Sequence, residues 1–107
     1  MGNGMIDPID MISFSFVPGL FASHIRPGRH AHELKIDPQY YSDIIFRGKS
    51  FEIRNNDRDF RVGDVLVLKE YVNGHYTGKE LRAIVTYMTD YAQQKGYVVM
   101  AIERMGY

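Results

Sequence analysis

The sequence predicts an α+β fold, a small five-stranded mixed barrel with one short helix between its first two strands. Three observations carry that prediction. After His30, strand-like runs are separated by breaks rich in glycine, proline and asparagine. One segment, opened by Asp37-Pro38, carries the three- and four-residue apolar spacing of a helix. With 107 residues the chain supports one hydrophobic core and not two. The order β-α-β-β-β-β in so short a span suits a closed or nearly closed sheet.

The elements follow in order. His32–Ile36 is the first strand. Asp37 can accept the orphan amides of a helix start, and Pro38 suits its first turn. Tyr40, Tyr41, Ile44 and Ile45 then recur as one stripe expected to be buried, and Gly48 ends the helix. The next strand is residues 49–54. Residues two apart share a strand face, so Glu52 and Arg54 project together, while Phe51 and Ile53 project the other way, toward the expected core. Lys49 has the opposite parity to Glu52 but stands at the start of the strand, where a turn or bulge can re-aim it. Asn55-Asn56-Asp57 is a turn, and Arg61-Val62-Gly63-Asp64 is a tight turn feeding Val65–Tyr71. That run is apolar on both faces and therefore central. Asn73-Gly74 marks a hairpin turn or a longer loop. Leu81–Met88 alternates, with Leu81, Ala83, Val85 and Tyr87 on one face, and Gly96 opens the last strand, Tyr97–Ile102.

Residues 1–29 read differently, with glycine, proline and scattered phenylalanines and no clear period. They are taken as an appended arm closed by Arg26-Pro27-Gly28-Arg29, with residues 30–107 as the domain. A packed strand at Ile12–Val17 is the alternative for the arm.

Composition narrows the function. Lysine plus arginine equals aspartate plus glutamate at 13 each, which argues against a charge-driven coater of nucleic acid. The balance is uneven locally. Residues 47–61 hold Arg47, Lys49, Arg54, Arg58 and Arg61 against Glu52, Asp57 and Asp59. Absence of cysteine excludes disulfides, thiolate zinc sites and a cysteine nucleophile, and fits a reducing, cytoplasmic setting. No apolar run approaches the roughly 20 residues that span a bilayer. His30 and His32 share a strand face, but no acidic cluster at ligand spacing joins them or His75. Structural or surface roles are expected for these histidines, and neither a metal nor a cofactor is expected.

Four segments together resemble a known family: His32-Glu33-Leu34-Lys35, Gly48-Lys49 through Phe51-Glu52-Ile53-Arg54, Arg61-Val62-Gly63-Asp64, and Gly96-Tyr97-Val98-Val99-Met100. In this order they look like the ASCH-like branch of the PUA superfamily, and more narrowly a bacterial and phage subfamily catalogued as a domain of unknown function. The resemblance covers roughly residues 31–103. The ASCH signature runs glycine, any residue, lysine, two residues, glutamate, one residue, arginine. Here Lys49, Glu52 and Arg54 match it, while the glycine is Gly48 and Arg47 stands in the usual glycine slot. The resemblance implies a five-stranded pseudobarrel with a cleft beside the first helix, and RNA or nucleic-acid components as ligands. Some members remove an acyl group from a modified cytidine with the signature lysine, a threonine and a distant glutamate. Lys49 matches that lysine, but Glu52 stands where the threonine would be and the insertion carrying the glutamate is missing.

The expectation is therefore a module that binds RNA or a nucleotide-like ligand. Lys49, Glu52 and Arg54 form its polar floor, with Arg58, Arg61, His32 and Lys35 at the rim. Arg54 can meet a phosphate or a carbonyl bidentately while Glu52 accepts from a base amino group. The plainer alternative for Glu52 and Arg54 is a same-face ion pair that seals the end of the barrel. Two other functions stay open. One is an amidohydrolase on a modified nucleoside using Lys49 and Glu52, and the other is a protein-interaction module of a phage or mobile element. Tyrosines at 71–76 or 87–91 could stack a base.

Overall fold

A computed structural model describes residues 30–106. The arm, including the Ile12–Val17 alternative, lies outside the described residues. The elements are β1 (Ala31–Ile36), α1 (Pro38–Phe46), β2 (Phe51–Asn55), β3 (Val65–Val72), β4 (His75–Thr89) and β5 (Tyr97–Arg104). The strands make one curled sheet in the order β1-β3-β4-β5-β2, a half-barrel with β1 and β2 as its edges. β1 runs parallel to β3, and the other neighbours are antiparallel.

Local chemistry sets the helix ends. Asp37 is the N-cap, and its Oδ1 accepts from the Gln39 amide at 2.9 Å. At the other end Gly48 adopts φ 73°, and the Arg47 and Lys49 amides both donate to the Asp43 carbonyl. Of the expected buried stripe, only Ile44 is buried. Tyr41 and Ile45 are half-buried against the core, and Tyr40 is 54% exposed. The helix packs against the central strand β3 through one narrow face, so fewer of its apolar residues are buried than the spacing suggests.

Val72 and His75 pair across Asn73-Gly74, whose φ values of 53° and 82° are both positive. This is the tight turn that matches strand twist, not a longer loop. Replacing Gly74 with alanine puts a Cβ on left-handed backbone. It is expected to lower the unfolding free energy by about 1 kcal/mol, measured by urea titration.

β3 is buried on both faces along most of its length, as its composition predicts. On β4, Leu81, Ala83 and Val85 point into the core, but Tyr87 is only half-buried. A register shift between Val85 and Tyr87 moves the inward position to Met88, which is fully buried opposite Met100. The turn at residues 61–64 docks at this irregularity. Gly63 N–H donates to the Val85 carbonyl, and Val85 N–H donates to the Asp64 carbonyl, both at 2.8 Å.

β2 reverses the expected orientation. Phe51 and Ile53 are 44% and 49% exposed, whereas Glu52 is buried at 5%. Among the described residues, β2 contributes no apolar side chain to the core. The reason is its position. It is an edge strand, so its inward face meets the gap between the sheet edges, where polar partners are present.

Candidate functional site

The gap between the two sheet edges organises the charged residues. His30 turns its carbonyl toward Val65 on β3. With a strand period of two, the carbonyls of Glu33 and Lys35 therefore face away from β3. Two arginines fill that free edge. Arg54 Nη2 donates to the Lys35 carbonyl and Arg58 Nη1 to the Glu33 carbonyl, each at 2.8 Å. Guanidinium groups thus bridge an edge that no backbone ladder closes among the described residues. Arg54 and Arg58, expected as ligand contacts, hold the seam.

Arg54 also reaches toward Glu52, with Nε 3.5 Å from Oε1. On the other side, Lys49 Nζ lies 3.8 Å from Glu52 Oε2 and donates to the Phe51 carbonyl at 2.5 Å. The loop after Gly48 re-aims the lysine across the strand parity, so the trio does come together. One bond is missing. Glu52 Oε2 is buried and has no hydrogen-bond partner. A buried acceptor left unpaired costs about 1–3 kcal/mol.

Glu52 is one of the residues that line a cleft of about 640 Å³ between α1 and β2, with Gln39, Tyr40, Asp43, Arg47, Lys49, Phe51 and Ile53. The size is typical of a small-ligand site. Its walls are aromatic, and the lysine lies near both rings, 5.5 Å from the Tyr40 centroid and 4.8 Å from that of Phe51. From the sequence alone, Tyr40 and Phe51 read as core residues. Their signal was positional, since one stands in the first helical turn and the other two residues past the lysine.

The remaining expected rim residues lie elsewhere. His32 Nε2 meets Asp64 Oδ2 at 2.8 Å, and the carboxylate, fully buried, also accepts from the Arg61 amide at 3.1 Å. The His32 ring sits edge-on to the buried Phe60, with centroids 4.8 Å apart. Arg61 pairs with Asp59 at 2.9 Å. Lys35 projects from the outer face of β1, its ammonium 4.3 Å from the Tyr71 ring. None of these three lines the cleft, and neither does Arg58. Among the described residues no three His, Asp or Glu side chains converge as metal ligands, and no helix is long and apolar enough to cross a membrane.

A family model described as Domain of unknown function (DUF3850) matches residues 31–102, from the first residue of β1 into β5. A relative in Escherichia phage P2, the "Uncharacterized 12.9 kDa protein in GpA 3'region", is 40% identical over 60 residues. The matched stretch covers 55% of this chain and 54% of the phage protein, so it spans about half of each.

Proposed function

The chain belongs to the DUF3850 family, and we propose that its α1–β2 cleft binds RNA or a nucleotide-like ligand on an ASCH-like scaffold of the PUA superfamily. One observation carries the reading: Glu52, whose buried Oε2 has no hydrogen-bond partner, lines a cleft that also holds Tyr40 and Phe51. A ligand that brings an N–H donor to this oxygen supplies the missing bond, and a flat ring suits the faces of Tyr40 and Phe51. A base carrying an exocyclic amino group offers both. Lys49 stands beside the same oxygen to meet an acceptor on the ligand or its phosphate. The cleft adjoining the trio supports a small-molecule or nucleic-acid ligand over a protein partner, which a closed ion-pair network would have suggested.

The test is an amide NMR titration with single-stranded RNA and a panel of nucleosides, plain and acylated. Shifts are expected at Gln39–Tyr40 and Lys49–Ile53. Glu52→Gln should weaken that binding about tenfold, the scale of one hydrogen bond to a charged group, with the rest of the spectrum unchanged. Absence of shifts at these residues with every compound refutes the reading. A second reading rests on the 3.8 Å approach of Lys49 Nζ to Glu52 Oε2. In such a cleft the carboxylate can act as general base, taking a proton from a water that attacks the acyl carbon, while the lysine ammonium stabilises the oxyanion and the abstracted proton passes to the leaving amine. It predicts that an acylated nucleoside disappears from the sample over time and that Glu52→Gln stops its loss rather than merely weakening binding.

A further inference from the structure

A second surface lies on the outer face of the sheet, apart from the cleft. The first six residues of β4, His75–Glu80, are all exposed, so both faces of this end of β4 are open, while Lys69 and Tyr71 beside it on β3 are half-buried. Tyr71 and Tyr76 are direct cross-strand neighbours here, packed edge to face with centroids 5.0 Å apart. Tyr76 remains 54% exposed. Each ring carries an ammonium group, Lys35 Nζ at 4.3 Å from Tyr71 and Lys69 Nζ at 5.3 Å from Tyr76.

The two lysines stand directly opposite each other in the β1–β3 register. Like charges in that position repel. Two carboxylates offset this in part: Glu33, 70% exposed, contacts Lys69 at 3.4 Å, and Glu80, the cross-strand partner of Lys69, lies 3.8 Å from Arg82. Among the described residues Lys35 meets no carboxylate at ion-pair distance. Two adjacent cations beside an exposed ring are complementary to a phosphodiester with an unstacked base. The phosphate relieves the repulsion, and the base gains a stacking partner already held rigid by its neighbour.

We propose that Lys35, Lys69, Tyr71 and Tyr76 form a docking platform for single-stranded nucleic acid, with a base on Tyr76 and phosphate between the lysines. The platform does not depend on any ligand in the cleft. Modest affinity is expected, because two lysines release few counterions and the chain carries no net charge.

The experiment is fluorescence anisotropy of a labelled mixed-sequence oligonucleotide, RNA and DNA in parallel, with the full chain over a salt series. Tyr76→Ser should weaken binding about tenfold, the effect of one lost stack, while Tyr76→Phe keeps it. The double variant Lys35→Ala/Lys69→Ala should weaken binding and flatten the slope of log affinity against log salt by about 0.7, for the one single-strand phosphate held between the lysines. Lys95→Ala, an exposed lysine between β4 and β5, should change neither. Equal effects on both oligonucleotides assign the contacts to base and phosphate, and a loss confined to RNA adds the 2′-hydroxyl. The proposal is overturned if neither oligonucleotide binds, or if the Tyr76→Ser and double-lysine variants bind like the parent chain.

Discussion

Asp64→Ala is expected to lower the unfolding free energy by about 3 kcal/mol, the largest loss for any single substitution considered. The carboxylate is fully buried, and its partners include His32 Nε2 at 2.8 Å and the Arg61 amide at 3.1 Å. Alanine removes both bonds and leaves the imidazole, itself only 12% exposed, facing a void beside Phe60. Removing one partner of a buried pair costs more than the pair contributes, because the other is left desolvated. The turn that carries Asp64 also holds Gly63 and Val85 together, so the loss should spread into β4. Asp64→Asn preserves an acceptor for the Arg61 amide and should cost less than half as much. Urea titration of both variants, with His32→Ala and the double variant closing a cycle, gives the coupling. A loss below 1 kcal/mol for Asp64→Ala, or a coupling near zero, would show that the pair contributes nothing to stability.

How far the sequence disclosed this arrangement depends on whether the governing contacts are local. The helix start at Asp37-Pro38, its stop at Gly48 and the Asn73-Gly74 hairpin were legible because capping and turn chemistry act within a few residues. Strand parity correctly grouped Glu52 with Arg54, yet parity says which residues share a face and not which face turns inward. Hydrophobicity would place Phe51 and Ile53 inside. The edge position of β2 overrides it, because Glu52 on the inward side meets the Lys49 and Arg54 cations. The inward step from Val85 to Met88 was hidden for a related reason, since a bulge breaks the very period being read. His32 and Asp64 lie 32 residues apart and meet only through the β1–β3 register. The partners of Arg54 and Arg58 are backbone carbonyls, which carry no residue-specific signal at all. Of the charged trio read from the sequence, Lys49 and Glu52 line the cleft and Arg54 does not, while placing Tyr40 beside them needed the helix.

Arg54→Ala should produce the second large effect, because this guanidinium joins two functions. It closes the seam through the Lys35 carbonyl and faces Glu52 Oε1 at 3.5 Å on a side chain only 25% exposed. Without it, Glu52 keeps Lys49 alone at 3.8 Å, and β1 loses one of its two arginine bridges. A charged hydrogen bond of this kind contributes about 1.5–3 kcal/mol, so a loss of about 2 kcal/mol is expected in urea titration. Arg58→Ala shares the seam but not the carboxylate, and its side chain is exposed, so its loss should be smaller. The two variants therefore separate the seam from the site. If closing the sheet edges is what matters, both should speed hydrogen exchange of β1 amides relative to β3 and β4. If holding Glu52 matters as well, only Arg54→Ala should also change binding in the cleft, and Arg54→Lys should fail to restore it. A lysine presents one compact charge and cannot span the carbonyl and the carboxylate with a planar fork. Wild-type stability and exchange in Arg54→Ala would refute the bridge, and with it the account of why a buried carboxylate is tolerated on this edge strand.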